Sequence, residues 1–282
     1  MAVFTIFDFK ALVFPRFILD EGIGIHADRA RGPFLQAVAN GVTLNILGLL
    51  ALYSFERRRV PRMLSAVLLF CVPLALLATR TRAVWLAAGA SVVLLALFPP
   101  SRTLRRVALA FCFMTVLGLA AFFLYRGLSS SLADRLEDRS PVEFRLDMYQ
   151  AGWQMFMEKP LTGWGSEGSV QPQIERRISN FHPEYYLFHN TYLELAVERG
   201  MIGLGLYAWL MTCFFRLARG PVAMSECEVG FRKIWPFILV VYLLNASAVV
   251  MNYQFVNGFV FSLAGILSAQ SARSSMVLQT HS

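Results

Sequence analysis

The chain has 282 residues, of which 56% are hydrophobic and 16% are charged. Soluble domains carry about 25% charged residues, so this composition argues against a soluble protein and indicates a chain that contacts lipid. The net charge of +8 comes largely from arginines in short gaps between apolar runs. We therefore attribute the charge to membrane topology and expect no nucleic-acid partner.

The first 35 residues precede the first long apolar run. The stretch from Met1 to Leu19 is apolar, but it contains Asp8, Lys10 and Pro15. It lacks a charged leader and a small-residue cleavage site, so it does not read as a signal peptide. We interpret residues 1–35 as an extracytoplasmic or interfacial segment, or as the remnant of a longer protein that has further helices upstream.

Seven apolar segments approach the length of about 20 residues that a membrane-spanning helix needs. They are residues 36–54, 63–79, 83–98, 107–125, 191–217, 235–251 and 254–270. The sequence thus predicts an all-α polytopic membrane protein with about seven transmembrane helices. Four of them fall in residues 36–125 and three in 191–270, and a cytoplasmic tail follows at 271–282.

The charge of the polar gaps between the apolar segments predicts how the chain is oriented in the membrane. Basic clusters lie at 56–62, 102–106 and 216–233, and cytoplasmic loops are enriched in Lys and Arg. The long gap 126–190 has seven Lys and Arg against nine Asp and Glu, as expected of an exported loop. The odd number of spans then places the N-terminus outside and the C-terminus inside.

The exported loop has helical periodicity. Residues 144–158 carry apolar side chains at helical spacing, and a second short helix is expected at about 170–180. Pro160 ends the first helix, and the sequence Gly163-Trp164-Gly165 predicts a turn. The loop is therefore a large helical domain and not a linker.

Three arginines are candidates for anion binding. Arg80 and Arg82 lie at the outer ends of two spans, where they bind phosphate oxygens in a fork or anchor the helices at the interface. Arg145 opens the loop helix and is either a second phosphate ligand or the partner of Asp147 or a nearby acid in a salt bridge.

His189 lies just before a predicted helix, with Asn190 as the helix N-cap. The positive end of the helix dipole disfavours imidazolium, and a neutral imidazole suits a general base. The alternative is an interfacial histidine that hydrogen-bonds nearby backbone.

Glu194 and Glu198 share one face of the helix after His189. In a functional role, they orient a histidine or bind an acceptor hydroxyl. Alternatively, they form a solvated turn paired with Arg199. Trp164 could stack on a sugar ring, although aromatic residues are also common at membrane interfaces. No metal-ligand cluster or cofactor motif is visible, so we expect neither a metal nor a cofactor.

Three glycines follow in the same predicted span. Gly200, Gly203 and Gly205 have the spacing of small residues that let membrane helices pack closely. They do not form a phosphate-binding loop, because no strand precedes them and no Lys-Ser or Lys-Thr pair follows.

Several motifs resemble those of the O-antigen ligases. His189-Asn190, nine residues, Gly200, two residues and Gly203 resemble the family signature H-[NSQ]-x9-G-x-x-[GTY]. The segment 81–86, TRAVWL, resembles a family SR-x-x-W-L segment after a span. Residues 145–165 resemble the R…W…P-L-x-G-x-G stretch of the family. Residues 31–34, RGPF, resemble a run that lies just before an earlier span in family members. The resemblance extends from about residue 29 to 270 and corresponds to the C-terminal part of family members.

The resemblance implies a membrane glycosyltransferase in the bacterial inner membrane, with its active site facing the periplasm. The donor would be an undecaprenyl-pyrophosphate-linked glycan, and the acceptor lipid A core or another glycan. By position, the catalytic roles would belong to Arg82, Arg145 and His189, and Arg80, Trp164, Asn190 and Glu194 would bind substrate. The reaction would be O-antigen ligation in lipopolysaccharide biosynthesis. A polymerase of the same superfamily and a truncated, non-catalytic membrane protein are the alternatives.

Overall fold

A computed structural model describes residues 10–20, 22–23, 29–57, 61–126, 140–178, 188–219 and 226–280. The predicted segments 1–35 and 126–190 lie partly outside these residues. The described residues contain α-helices and short 3-10 helices and no β-strand. The α-helices are α1 (Ala37–Arg57), α2 (Arg62–Ala78), α3 (Arg82–Leu97), α4 (Arg102–Arg126), α5 (Ser140–Glu158), α6 (Glu167–Glu175), α7 (Thr191–Arg216), α8 (Glu226–Ala246) and α9 (Gln254–Thr280).

The all-α class is confirmed for the described residues, and most predicted apolar segments coincide with a helix. Three helical stretches there are long and apolar enough to cross a membrane, namely Ala37–Arg57, Thr191–Arg219 and Gln254–Ala272. Two shorter apolar helices are Met63–Ala78 and Arg82–Leu97. The chain is therefore a multi-pass membrane protein.

The predicted helix 235–251 is misplaced. The observed helix α8 begins at Glu226 and ends at Ala246. The apolar residues that follow are not helical, because the side chain of Thr191 forms hydrogen bonds with the Val249 carbonyl and the Met251 N–H. At the other end of the chain, α9 continues to Thr280, through most of the segment expected to be a tail.

One compact unit comprises Met1–Cys112, Phe214–Asn245 and Asn252–Ser282. Within it α1 packs against α2 and α3, and Gly41 of α1 lies so close to Val84 of α3 that a Cβ atom would come 2.6 Å from the valine methyl groups. Trp235 is fully buried and donates its indole N–H to the Phe214 carbonyl at 2.7 Å. Helix contacts of this kind hold the apolar helices together.

In the described part of the N-terminal segment there are only short 3-10 helices, Lys10–Leu12, Arg16–Leu19 and Gly32–Phe34. Arg31 is fully buried behind them. Its guanidinium donates to the carbonyl oxygens of Ile18 (2.8 Å), Ile23 and Asp20. Each of the three guanidinium nitrogens has one backbone acceptor, so this buried cation ties the segment to the start of α1.

The second compact unit comprises Phe113–Cys213 and Ala246–Met251. Its core is formed by one face of α5, one face of α6, the residue before His189 and the start of α7. The fully buried members include Met148, Met155, Ile174, Phe188 and Val197. The helix predicted at 144–158 begins earlier, at Ser140, and the short helix predicted at about 170–180 is displaced to Glu167–Glu175.

Candidate functional site

Arg80 and Arg82 lie at the corner between α2 and α3. The backbone N–H of Arg80 donates to the Leu77 carbonyl at 3.1 Å and closes the last turn of α2. Arg82 is the first residue of α3. Both side chains are exposed, so the corner presents two cations within three residues.

The same corner is fixed by hydrogen bonds to backbone. The indole N–H of Trp85 donates to the Leu76 carbonyl at 2.8 Å and joins α3 to the end of α2. The Thr81 hydroxyl donates to the Thr79 carbonyl, so no side chain caps the start of α3. Uncapped N–H groups and the positive end of the helix dipole favour anions, and they lie beside Arg82.

Arg145 lies on α5 with its side chain exposed, while Met148 and Met155 of the same helix are buried. Among the described residues it makes no salt bridge, with Asp147 or with any other acid. The alternative reading of Arg145 as the partner of Asp147 therefore has no support in the structure.

His189 lies between a buried anchor and a helix cap. Phe188 is fully buried in the core of the second unit, and His189 itself is half-buried. The Asn190 Oδ1 accepts hydrogen bonds from the backbone N–H of Tyr192 at 3.0 Å and Leu193 at 3.2 Å. The predicted N-cap is thus confirmed, and it sets the position of the imidazole at the helix start.

His189 also has an uncommon backbone conformation. Among the described non-glycine residues, positive φ angles occur at Leu35 (54°), Arg80 (48°) and His189 (51°). Such angles cost free energy for residues with a Cβ atom and cluster at functional sites. Two of these three residues were already candidates from the sequence.

The α5 helix packs directly behind His189. A Cβ atom on Gly152 of α5 would come 2.8 Å from the Phe188 ring and 3.0 Å from Leu193. The helix that carries Arg145 is thus in close contact with the residues on both sides of His189. Glu194 lies half-buried in the first turn of α7.

Sequence analysis did not identify Thr191, whose side chain joins two distant segments. Its hydroxyl donates to the Val249 carbonyl and accepts the backbone N–H of Met251, both at 2.8 Å. The side chain therefore fixes residues 249–251 against the start of α7. Its partners lie 58 and 60 residues away along the chain, so no local pattern could reveal the contact.

Trp164 is held within the loop domain. Its indole N–H donates to the Met155 carbonyl at 2.8 Å, and the Lys159 ammonium lies 4.0 Å from the ring centroid. The tryptophan thus fixes the turn after α5, and its stacking on a sugar stays a prediction.

The glycines of α7 differ from their predicted role. Gly200 has φ 64° and ψ −163°, which interrupts the helix between Arg199 and Met201. A Cβ atom there would overlap the Leu161 carbonyl. A Cβ atom on Gly205 would have no neighbour within 4 Å among the described residues, so close helix packing at this residue stays a prediction.

At this break the turn after α5 replaces the missing helical hydrogen bonds. The N–H groups of Trp164 and Gly165 donate to the carbonyls of Val197 (2.8 Å) and Glu198 (3.0 Å). In return, the N–H groups of Met201 and Ile202 donate to the carbonyls of Pro160 and Leu161. Backbone groups left unpaired by the break are thereby satisfied.

The structure brings Arg145, Trp164, His189, Asn190 and Glu194 into one compact unit. Arg80 and Arg82 belong to the other unit. The corner that carries Arg80 and Arg82 and the segment that carries His189 each have a fixed backbone of their own.

A family model described as O-antigen ligase matches residues 64–208, just over half of the chain. The matched segment includes Arg80, Arg82, Arg145 and His189. No curated protein matches the chain at a significant level.

Proposed function

The chain belongs to the O-antigen ligase family, and we propose that it transfers a glycan from a polyprenyl-pyrophosphate carrier to an acceptor hydroxyl. The specific reaction we propose is ligation of O-antigen to lipid A core. The protein would act in the bacterial inner membrane, with its site facing the periplasm.

The observation that carries the proposal is the placement of His189. It follows a fully buried phenylalanine, adopts φ 51° and precedes the asparagine that caps α7. A half-buried imidazole held in one backbone conformation suits a general base, because proton abstraction requires a fixed distance to the acceptor hydroxyl.

In the proposed reaction His189 takes the proton of the acceptor hydroxyl as its oxygen attacks the anomeric carbon. A bond forms between the acceptor oxygen and this carbon, and the bond from the carbon to the pyrophosphate oxygen breaks. The carrier pyrophosphate leaves with the electron pair. Direct displacement inverts the anomeric configuration, and no metal ion takes part.

The arginines have the second role. Arg82 at the uncapped start of α3 and Arg145 on α5 would bind the pyrophosphate and stabilise its charge in the transition state. A guanidinium suits this role because its planar donors match phosphate oxygens in pairs.

The test is a gel of surface glycans from a strain that lacks the gene, complemented with wild type or His189→Ala. We expect the deletion to remove the long-chain ladder while carrier-linked polymer accumulates, and only wild type to restore the ladder. Single repeat units on the core would indicate a polymerase instead. A normal ladder in the deletion, or one restored fully by His189→Ala at equal expression, would refute the proposed function.

A further inference from the structure

A polar groove lies on the second unit where α5 meets the end of α6. Its volume is about 220 Å³, and it is lined by Asp147, Gln150, Ala151, Gln154, Arg177 and Ile178. Pockets for drug-sized ligands run from about 300 to 1,000 Å³, so this groove suits a smaller group.

The groove has three polar side chains from one helix face. Asp147, Gln150 and Gln154 are spaced three and four residues apart, which aligns them along α5. All three are exposed, and among the described residues none makes a hydrogen bond or ion pair with protein. Their two amides and one carboxylate are therefore available to a ligand.

Arg177 faces them from the end of α6 and is held in place. Its Nη2 donates to both carboxylate oxygens of Glu158 at 2.6 Å, and its Nη1 donates to the Gln173 carbonyl at 2.7 Å. In the described part of the chain its Nε–H has no protein acceptor, so one fixed donor remains for a ligand.

The charges of the groove argue against an anionic ligand. The Arg177 cation is neutralised by Glu158, and Asp147 adds a negative charge. A diphosphate would be repelled by that carboxylate. A neutral polyol is favoured, because its hydroxyls both donate to a carboxylate or amide oxygen and accept from amide and guanidinium N–H groups.

We infer that this groove binds one neutral sugar ring of a glycan handled by the enzyme. The inference rests on the proposed function, since the sugar would belong either to the acceptor or to the carrier-linked donor. Binding there would hold the glycan by hydroxyl contacts at a place that carries none of the proposed catalytic residues.

The test measures binding to the full chain in detergent, by calorimetry or ligand-observed NMR. Two probes separate the sources: core oligosaccharide freed of lipid A, and O-antigen repeat oligosaccharide freed of its carrier. We expect one of them to bind wild type, and Gln150→Leu and Gln154→Leu each to raise its Kd about three- to tenfold, as the loss of a hydrogen bond predicts. Gln171→Leu is the matched control, because Gln171 lies on α6 outside the groove.

Two results would overturn the inference: neither probe binds, or the groove variants bind as tightly as Gln171→Leu. His189→Ala keeps the two proposals apart, because it should abolish transfer while oligosaccharide binding by the groove persists. If His189→Ala transferred at full rate, the proposed function would fail. The Kd values of the groove variants would still show whether the groove binds an oligosaccharide.

Discussion

The backbone N–H of Met201 donates a 2.7 Å hydrogen bond to the carbonyl oxygen of Pro160. Met201 resumes α7 after its break, and Pro160 begins the turn after α5. The P-L-x-G-x-G stretch and the histidine-glycine signature are therefore hydrogen-bonded partners. Gly163 and Gly200, both at positive φ, let the two backbones approach this closely.

Gly200→Ala should destabilise the protein strongly. Its φ and ψ lie in a region essentially restricted to glycine, which costs about 1–3 kcal/mol for other residues, and the new methyl would overlap the Leu161 carbonyl. Gly205→Ala is the control, because its Cβ position is open and alanine favours a helix. Thermal unfolding in detergent compares the two variants. Equal melting temperatures would show that the backbone pairing at Gly200 does not stabilise the protein.

Asn190→Ala should weaken the start of α7. The variant loses the side-chain acceptor for the N–H groups of Tyr192 and Leu193, at a cost of about 0.5–2 kcal/mol. Asn190→Asp retains a capping oxygen and should keep wild-type stability. Denaturant unfolding measures the difference, and a transfer assay at equal expression would show whether the cap also sets the rate.

Thr191→Val should release residues 249–251. The isosteric change removes the hydroxyl that accepts the buried N–H of Met251, at a cost of about 1–3 kcal/mol, whereas Thr191→Ser keeps the hydroxyl. Hydrogen exchange of the segment Ala246–Met251 should be faster in the valine variant and near wild type in the serine variant. Unchanged exchange in Thr191→Val would show that the hydroxyl does not hold this segment.

Arg82→Lys should impair use of the lipid-linked donor although the charge is kept. Lysine lacks the planar fork that binds two phosphate oxygens, so we expect kcat/KM for the donor to fall at least about tenfold. Arg176→Lys, at an exposed arginine of the loop, is the matched control and should transfer normally. If both variants retain wild-type kcat/KM, Arg82 does not bind the pyrophosphate.

His189→Gly should separate folding from chemistry. Glycine adopts positive φ without steric cost, so the stability should stay within about 1 kcal/mol of wild type. Transfer should nevertheless be lost, because no imidazole remains to accept the proton. A variant that keeps substantial transfer would remove His189 from the mechanism.

Short-range patterns were enough to predict the loop helix α5 and the capping role of Asn190. Both follow from a periodic apolar face or from a polar residue directly before a helix. The end of α8 was misplaced because residues 247–251 continue the apolar run of that helix. Their backbone groups are bound instead by Thr191, which is distant in sequence.

The break at Gly200 could not be predicted for a related reason. It depends on hydrogen bonds between backbone groups of two distant segments, and such bonds leave no side-chain pattern beyond the glycines themselves. Similarly, the groove depends on Arg177 being oriented by Glu158, 19 residues away and across a turn. Sequence periodicity identified its α5 face only as polar.

The pairing of Pro160 with Met201 joins two segments that are synthesised at different times. Ribosomes make the chain from its N-terminus at about 5–20 residues per second, so the turn is synthesised roughly 2–8 seconds before its backbone partners. During that interval the carbonyls of Pro160 and Leu161 lack the N–H donors of Met201 and Ile202. The loop domain can therefore complete its backbone pairing only after synthesis has passed Ile202.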